Sequence, residues 1–298
     1  MRRAGLVAWV CLLIVYVLWG STYLAIRVGV ETMPPLLMAA ARQLLAAVIM
    51  LPFALRTHRK QGLPWPSRAE WRGCAIVGIL LLVASGVVGI GEKTVPSGLA
   101  ALLIATVPLW LLGIDAVLNH ARLGLAPVAG LVLGLAGVAL LSGLGGGGRV
   151  SVTGALTILG AAFMWALGTI MARRGTIPSS PALASGMEML IGGVALLILS
   201  GATGEFSALH VSQISARSWW ALAYLIVIGS IVAFSAYGIA VRTLPTATVA
   251  TYAYVNPVIA VLLGALILGE RLTSVMIAGG ALVVGAVILV VRRSPPAH

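Results

Sequence analysis

The chain has 298 residues, of which 19 are Lys or Arg and 7 are Asp or Glu, so charged residues make up only 9% of it, against about 25% in a soluble domain. With 60% hydrophobic residues, too little polar surface exists to cover a water-exposed fold of this size, which excludes a soluble globule and leaves lipid as the solvent. The net charge of +12 does not point to nucleic acid, because the basic residues lie between apolar runs and form no arginine-rich face interleaved with aromatics. Cys11 and Cys74 sit in apolar runs and indicate neither a disulfide framework nor a metal site.

At roughly 20 residues per crossing, the apolar stretches at 7–28, 35–55, 71–91, 96–117, 126–143, 152–172, 182–200, 218–240, 246–268 and 274–291 predict an all-α integral membrane protein of ten transmembrane helices. The first stretch follows Arg2 and Arg3, but it is long, lacks a small-residue cleavage site and precedes nine further spans, so it is read as mature structure and not as a signal peptide. Ten spans put both termini on one side. Taking that side as cytoplasmic places thirteen basic residues inside and four outside (Lys93, Arg149, Arg217 and Arg271), and the positive-inside rule then orients both termini to the cytoplasm.

The two halves of the chain repeat. Trp19, Arg27 and Pro35 match Trp165, Arg173 and Pro181 at an offset of 146, while Lys93 to Pro96, Pro108 and Arg122-Leu123 match Arg242 to Pro245, Pro257 and Arg271-Leu272 at an offset of 149. The expected organisation is a first repeat over 7–143, a Gly-rich linker over 144–151 and a second repeat over 152–291. Five helices is an odd number, so the second repeat enters the membrane from the opposite side. Two inverted five-helix repeats around a central cavity are a transporter architecture, because the halves exchange conformations and open a shared site to each side in turn.

Three runs carry a family likeness: Trp19-Gly20-Ser21, the Pro245 to Pro257 segment, and Leu268-Gly269-Glu270-Arg271-Leu272-Thr273. With these, the chain resembles the drug/metabolite transporter superfamily, in its ten-helix branch with two EamA-type repeats, and most of all the amino-acid exporters, including aromatic amino-acid exporters. The resemblance implies an exporter of small metabolites in the cell inner membrane, with spans 1, 3, 4, 6, 8 and 9 lining the cavity and spans 5 and 10 outside. The first repeat has Ala121 where the family often has glutamate, so a loop-capping role fits Glu270 better than a gating one.

Several side chains are candidates for the transport path. Trp19, Trp110 and Trp165 fall near the middle of their spans, where an indole N–H needs a partner or a wet cavity. Trp9, Trp65, Trp71, Trp219 and Trp220 fall at span ends, where the interfacial belt explains them. Tyr23 shares a face with Trp19, and Tyr252 with Asn256, so these residues predict an aromatic and hydroxyl-lined pocket suited to neutral amino acids, the alternative being aromatic packing between helices. Pro108 and Pro257 predict a bend in the fourth and ninth spans and are candidate hinges. Arg42 and Glu188 are the deepest charges, at equivalent places in the two repeats; Glu188 is a candidate proton carrier or amine contact, or else a structural tether. Arg27 is expected to snorkel, and Glu31, Glu70, Glu92 and Glu205 to lie in solvent.

No H-E-x-x-H, no G-x-S-x-G, no intramembrane aspartate pair and no nucleotide loop occurs, so neither an enzyme nor direct ATP drive is indicated, and no cofactor or metal is expected. The remaining alternatives to an amino-acid exporter are an exporter of drugs and other cationic compounds and a passive facilitator. The partners implied are the lipid bilayer and a small-molecule substrate; a monomer and a dimer both remain open.

Overall fold

A computed structural model of the protein describes residues 2–119, 125–140, 151–244, 249 and 251–293. Among them every regular element is helical: α1 (Arg2–Gly29), α2 (Pro35–Lys60), α3 (Arg68–Glu92), α4 (Ser97–Ile104), α5 (Val107–Leu118), α6 (Leu125–Ala139), α7 (Val152–Arg174), α8 (Pro181–Ala202), α9 (Ala216–Tyr224), a π-helical segment (Leu225–Val232), α10 (Ala233–Thr243), α11 (Tyr252–Leu268) and α12 (Ser274–Arg293), with a short 3₁₀ turn before α9. Seven described helical stretches are long and apolar enough to cross a membrane, and Val255–Leu268 and Ser274–Ala286 form shorter apolar helices. The expected spans at 126–143 and 246–268 run partly through residues outside the described set, as does most of the 144–151 linker.

Helix starts follow their local chemistry. Pro35 and Pro181 open α2 and α8, where the missing N–H costs nothing. Ser67 caps α3 in a capping box: the Ser67 N–H donates to Glu70 at 2.7 Å and the Glu70 N–H to the Ser67 hydroxyl at 3.2 Å. Ser151 and Ser215 each accept an N–H at 3.1 Å at the starts of α7 and α9. Gly269, at φ 67°, ends α11 in the left-handed conformation that a side chain would resist.

The fourth expected span is not one bent helix. It is interrupted at Ala105 and Thr106, so that Pro108 sits in the first turn of α5. The ring lacks the N–H that would pair with the Ile104 carbonyl, and the Thr106 N–H and hydroxyl both turn back to the Leu103 carbonyl, at 3.2 and 2.6 Å. Pro257, by contrast, lies within α11.

The helices pack by close backbone approach. A Cβ at Gly78 would stand 2.6 Å from the Glu188 carbonyl oxygen, and one at Gly192 2.6 Å from the Gly78 carbonyl oxygen, so α3 and α8 meet main chain to main chain. Gly137 similarly faces α12, where a Cβ would stand 2.9 Å from the Gly279 carbonyl oxygen. Around α3 and α8, α2 packs on α8 and α7 on α3, while α1 packs on α10 and α11.

Candidate functional site

Trp19 is the centre of an aromatic cluster built by three helices. Its ring lies 5.1 Å from Tyr237, 5.4 Å from Phe234 and 5.1 Å from Tyr252, the last two edge-on; Tyr237 and Tyr252 are 6.0 Å apart, also edge-on. These separations fall in the range where ring quadrupoles attract. Gly20 makes the assembly fit: a Cβ there would stand 2.7 Å from the Ile259 Cβ and 3.1 Å from the Asn256 carbonyl oxygen, so α11 lies directly on α1. Asn256 is 7% exposed, and its amide nitrogen, turned toward α1, donates to the Tyr16 and Tyr252 carbonyls at 3.2 and 3.1 Å. The Tyr16 hydroxyl is hydrogen-bonded to the Thr251 hydroxyl. The Trp19-Gly20-Ser21 run is thus a local device: an aromatic anchor, a contact point without a side chain, and Ser21, whose hydroxyl pairs with that of Tyr224 at 2.6 Å.

The other sequence-predicted residues are placed separately. Trp110 meets Phe163 edge-on at 5.4 Å, and its indole N–H has no hydrogen-bond partner among the described residues. Trp165 and Tyr23 pack against the core group that includes Ile26, Met38 and Leu225. Arg42 and Glu188 are not an ion pair: the Arg42 Nε donates to the Ser230 hydroxyl at 3.0 Å, and among the described residues the one ion pair joins Arg174 to Asp115 at 3.7 Å. Tyr254 and Arg242 have no described side-chain placement.

Two expectations about carboxylates are corrected. Glu92 is fully buried, at 0% exposure, with neither carboxyl oxygen hydrogen-bonded among the described residues. Arg27 is not merely snorkelling; its guanidinium donates to the Glu92 main-chain carbonyl and ties α1 to the end of α3. Glu205 is not free in solvent either. It accepts from the Leu36 and Leu37 N–H groups at 3.2 and 2.8 Å and from the Ser200 hydroxyl at 2.9 Å, closing the start of α2. Glu270 does the same for α4, through the Ser97 N–H at 2.8 Å and the Gly98 N–H at 3.2 Å, the loop-capping role expected of it. Beside it a cavity of about 320 Å³ is lined by the charges Arg27, Glu31, Arg217 and Glu270 with Pro96 and Leu268.

Phe234, Tyr237, Tyr224 and Ser230 are the site residues that sequence reasoning missed. They flank or lie in the π-helical segment, whose wider turn shifts the face that later residues present. A signal existed in the three-residue spacing of Phe234 and Tyr237 within an otherwise aliphatic run.

A bundle of long apolar helices, joined by short capped loops and gathered about buried aromatic and hydroxyl groups, defines a helical membrane protein. The chain matches the EamA-like transporter family over residues 7–143 and 152–292, and it belongs to that family. It is 40% identical over 280 residues to the inner membrane transporter YedA of Escherichia coli K12, covering 92% of this chain and 87% of that one. It is also 27% identical to a probable amino-acid metabolite efflux pump of Salmonella typhimurium (95% and 92% covered) and 28% identical to a probable terminal-alkyne amino-acid exporter of Streptantibioticus cattleyicolor (95% and 93%). A solved crystal structure shares the fold, with a TM-score of 0.62 at 21% identity over 97% of both chains.

Proposed function

We propose that the protein is a secondary transporter of the inner membrane that exports amino acids or related small metabolites by alternating access. In this reading ten helices form two inverted repeats around a central cavity, with both termini cytoplasmic and the outward-facing loops at the Glu205 and Glu270 caps. The observation that carries it is the meeting of Trp19, Tyr237 and Tyr252 from three helices beside the hydroxyls of Tyr16 and Thr251. Aromatic faces with hydroxyl edges suit a solute with an apolar side chain and a polar head. Two of the relatives named above are described as a probable amino-acid metabolite efflux pump and a probable terminal-alkyne amino-acid exporter, which supports the same substrate class.

Two irregular places supply the compliance that alternating access needs: the break at Ala105 and Thr106, and the π-helical segment over Leu225–Val232. Both rebend at a lower cost than a continuous α-helix: Pro108 cannot donate the bond that would join α4 to α5, and the π-helical turn already holds wider bonds in place of the α-helical ones.

The test is counterflow in proteoliposomes. Vesicles loaded with an unlabelled amino acid are expected to accumulate the labelled form saturably. Rapid uptake without counterflow would make the protein a facilitator, and movement of cationic drugs alone would replace the amino-acid assignment.

A further inference from the structure

Arg42 lies in α2 at 8% exposure, two turns from the start of the helix. Its Nε is held by the Ser230 hydroxyl at 3.0 Å, and neither terminal nitrogen has a hydrogen-bond or ion-pair partner among the described residues. A charge at such a site is costly when nothing neutralises it, and Glu188 does not supply the counter-charge. The space around the guanidinium is made for it: a Cβ at Gly229 would stand 3.5 Å from one terminal nitrogen and 3.0 Å from the Thr22 methyl. The cation therefore sits where α1, α2 and the π-helical segment converge.

What lies next to it is specific. Thr22 is one turn along α1 from Trp19, about 4.5 Å of helix rise, and its hydroxyl donates to the Trp19 carbonyl at 2.6 Å. The Ser21 and Tyr224 hydroxyls pair on the neighbouring face. A fixed cation with two free N–H₂ groups and Thr22, the residue one turn beyond Trp19, thus meet on either side of Gly229, and a guanidinium fork matches a carboxylate in a bidentate pair.

We propose that Arg42 binds the carboxylate of the transported solute, with Ser230 holding Nε so that the terminal nitrogens are left for the ligand and the Trp19 cluster taking the solute's apolar part. The site selects apolar and aromatic amino acids over the amines that share their side chains. It rests on the reading of the chain as an amino-acid exporter.

The experiment is counterflow in proteoliposomes with paired probes: phenylalanine with phenethylamine, tryptophan with tryptamine, and leucine with isoamylamine. The wild-type protein is expected to carry the acids and discriminate against the amines by at least tenfold. Arg42→Gln should raise the half-saturating acid concentration at least tenfold and bring the acid-to-amine ratio near one. Arg42→Lys, which keeps the charge but loses the fork, should retain the preference at reduced affinity, and Ser230→Ala should weaken acid binding a few-fold. If Arg42→Gln does not fold, a Ser230→Ala protein with unchanged acid affinity overturns the proposal. An unchanged acid-to-amine ratio in Arg42→Gln also overturns it. Wild-type protein that moves amines as readily as acids removes the role of Arg42 and leaves a transporter; wild-type protein that moves neither class removes the amino-acid reading and this site together.

Discussion

The carboxylate of Glu270 receives the Ser97 main-chain N–H at 2.8 Å and the Ser97 hydroxyl at 2.9 Å, so a loop near the end of the chain closes a helix that begins 173 residues earlier. Replacing Glu270 by alanine strips that helix start of its acceptor, at a cost of about 1–2 kcal/mol for a lost cap. Glu270→Ala should therefore lower the melting temperature of the detergent-solubilised protein by several degrees. Glu270→Gln, which still accepts with its carbonyl oxygen, should lose less.

Gly20 tolerates no side chain. A methyl group there meets Ile259 at 2.7 Å and main chain at 3.1 Å, and overpacking of this kind costs about 1–3 kcal/mol. Gly20→Ala should lower thermal stability, and Gly20→Leu should abolish the folded monodisperse peak in size-exclusion chromatography.

Trp19 and Tyr237 differ in what they hold. Trp19→Ala leaves three rings without their common neighbour and should destabilise the protein by about 3–5 kcal/mol, whereas Trp19→Phe keeps the packing and removes the indole N–H. The proposed site predicts a several-fold rise in half-saturating concentration for Trp19→Phe and for Tyr237→Phe, with melting temperatures within a few degrees of wild type.

Glu92 is a buried carboxyl with no hydrogen bond to either oxygen among the described residues. Exchanging such a group for an apolar one of similar volume removes a desolvation cost of about 1–3 kcal/mol. Glu92→Leu should raise the melting temperature, a result readable by thermal shift in detergent, and Glu92→Lys should lower it, because a second cation then stands beside the Arg27 guanidinium that donates to the main chain of residue 92.

Much of this was legible in the chain itself. The apolar runs that became α1, α2, α3, α7 and α8 and the Trp19-Gly20-Ser21 run are local signals, and local signals are carried by neighbouring residues. The burial of Glu92 was not, because it is set by elements distant in the chain that gather at the end of α3, among them α1, whose Arg27 donates to the Glu92 carbonyl. Tyr237 escaped for a different reason: a π-helical turn changes the angle per residue, so a face extrapolated at helical spacing from Trp219 or Tyr224 misses it. The interruption of the fourth span lay between the two. Pro108 marked its location, but whether a proline bends or divides a helix is decided by the turn before it, here tightened by the Thr106 N–H and hydroxyl both pairing with the Leu103 carbonyl.

The main-chain contact of Gly78 with Glu188 and of Gly192 with Gly78 also bears on how relatives of this protein diverge. Where no side chain separates two helices, no side chain is available to absorb a change, so an enlargement at 78 has to be matched by a shift of α8 as a whole. The segments before and after the linker are in consequence a matched pair, and chimaeras that take one from this protein and the other from a relative should assemble only when both glycines are retained.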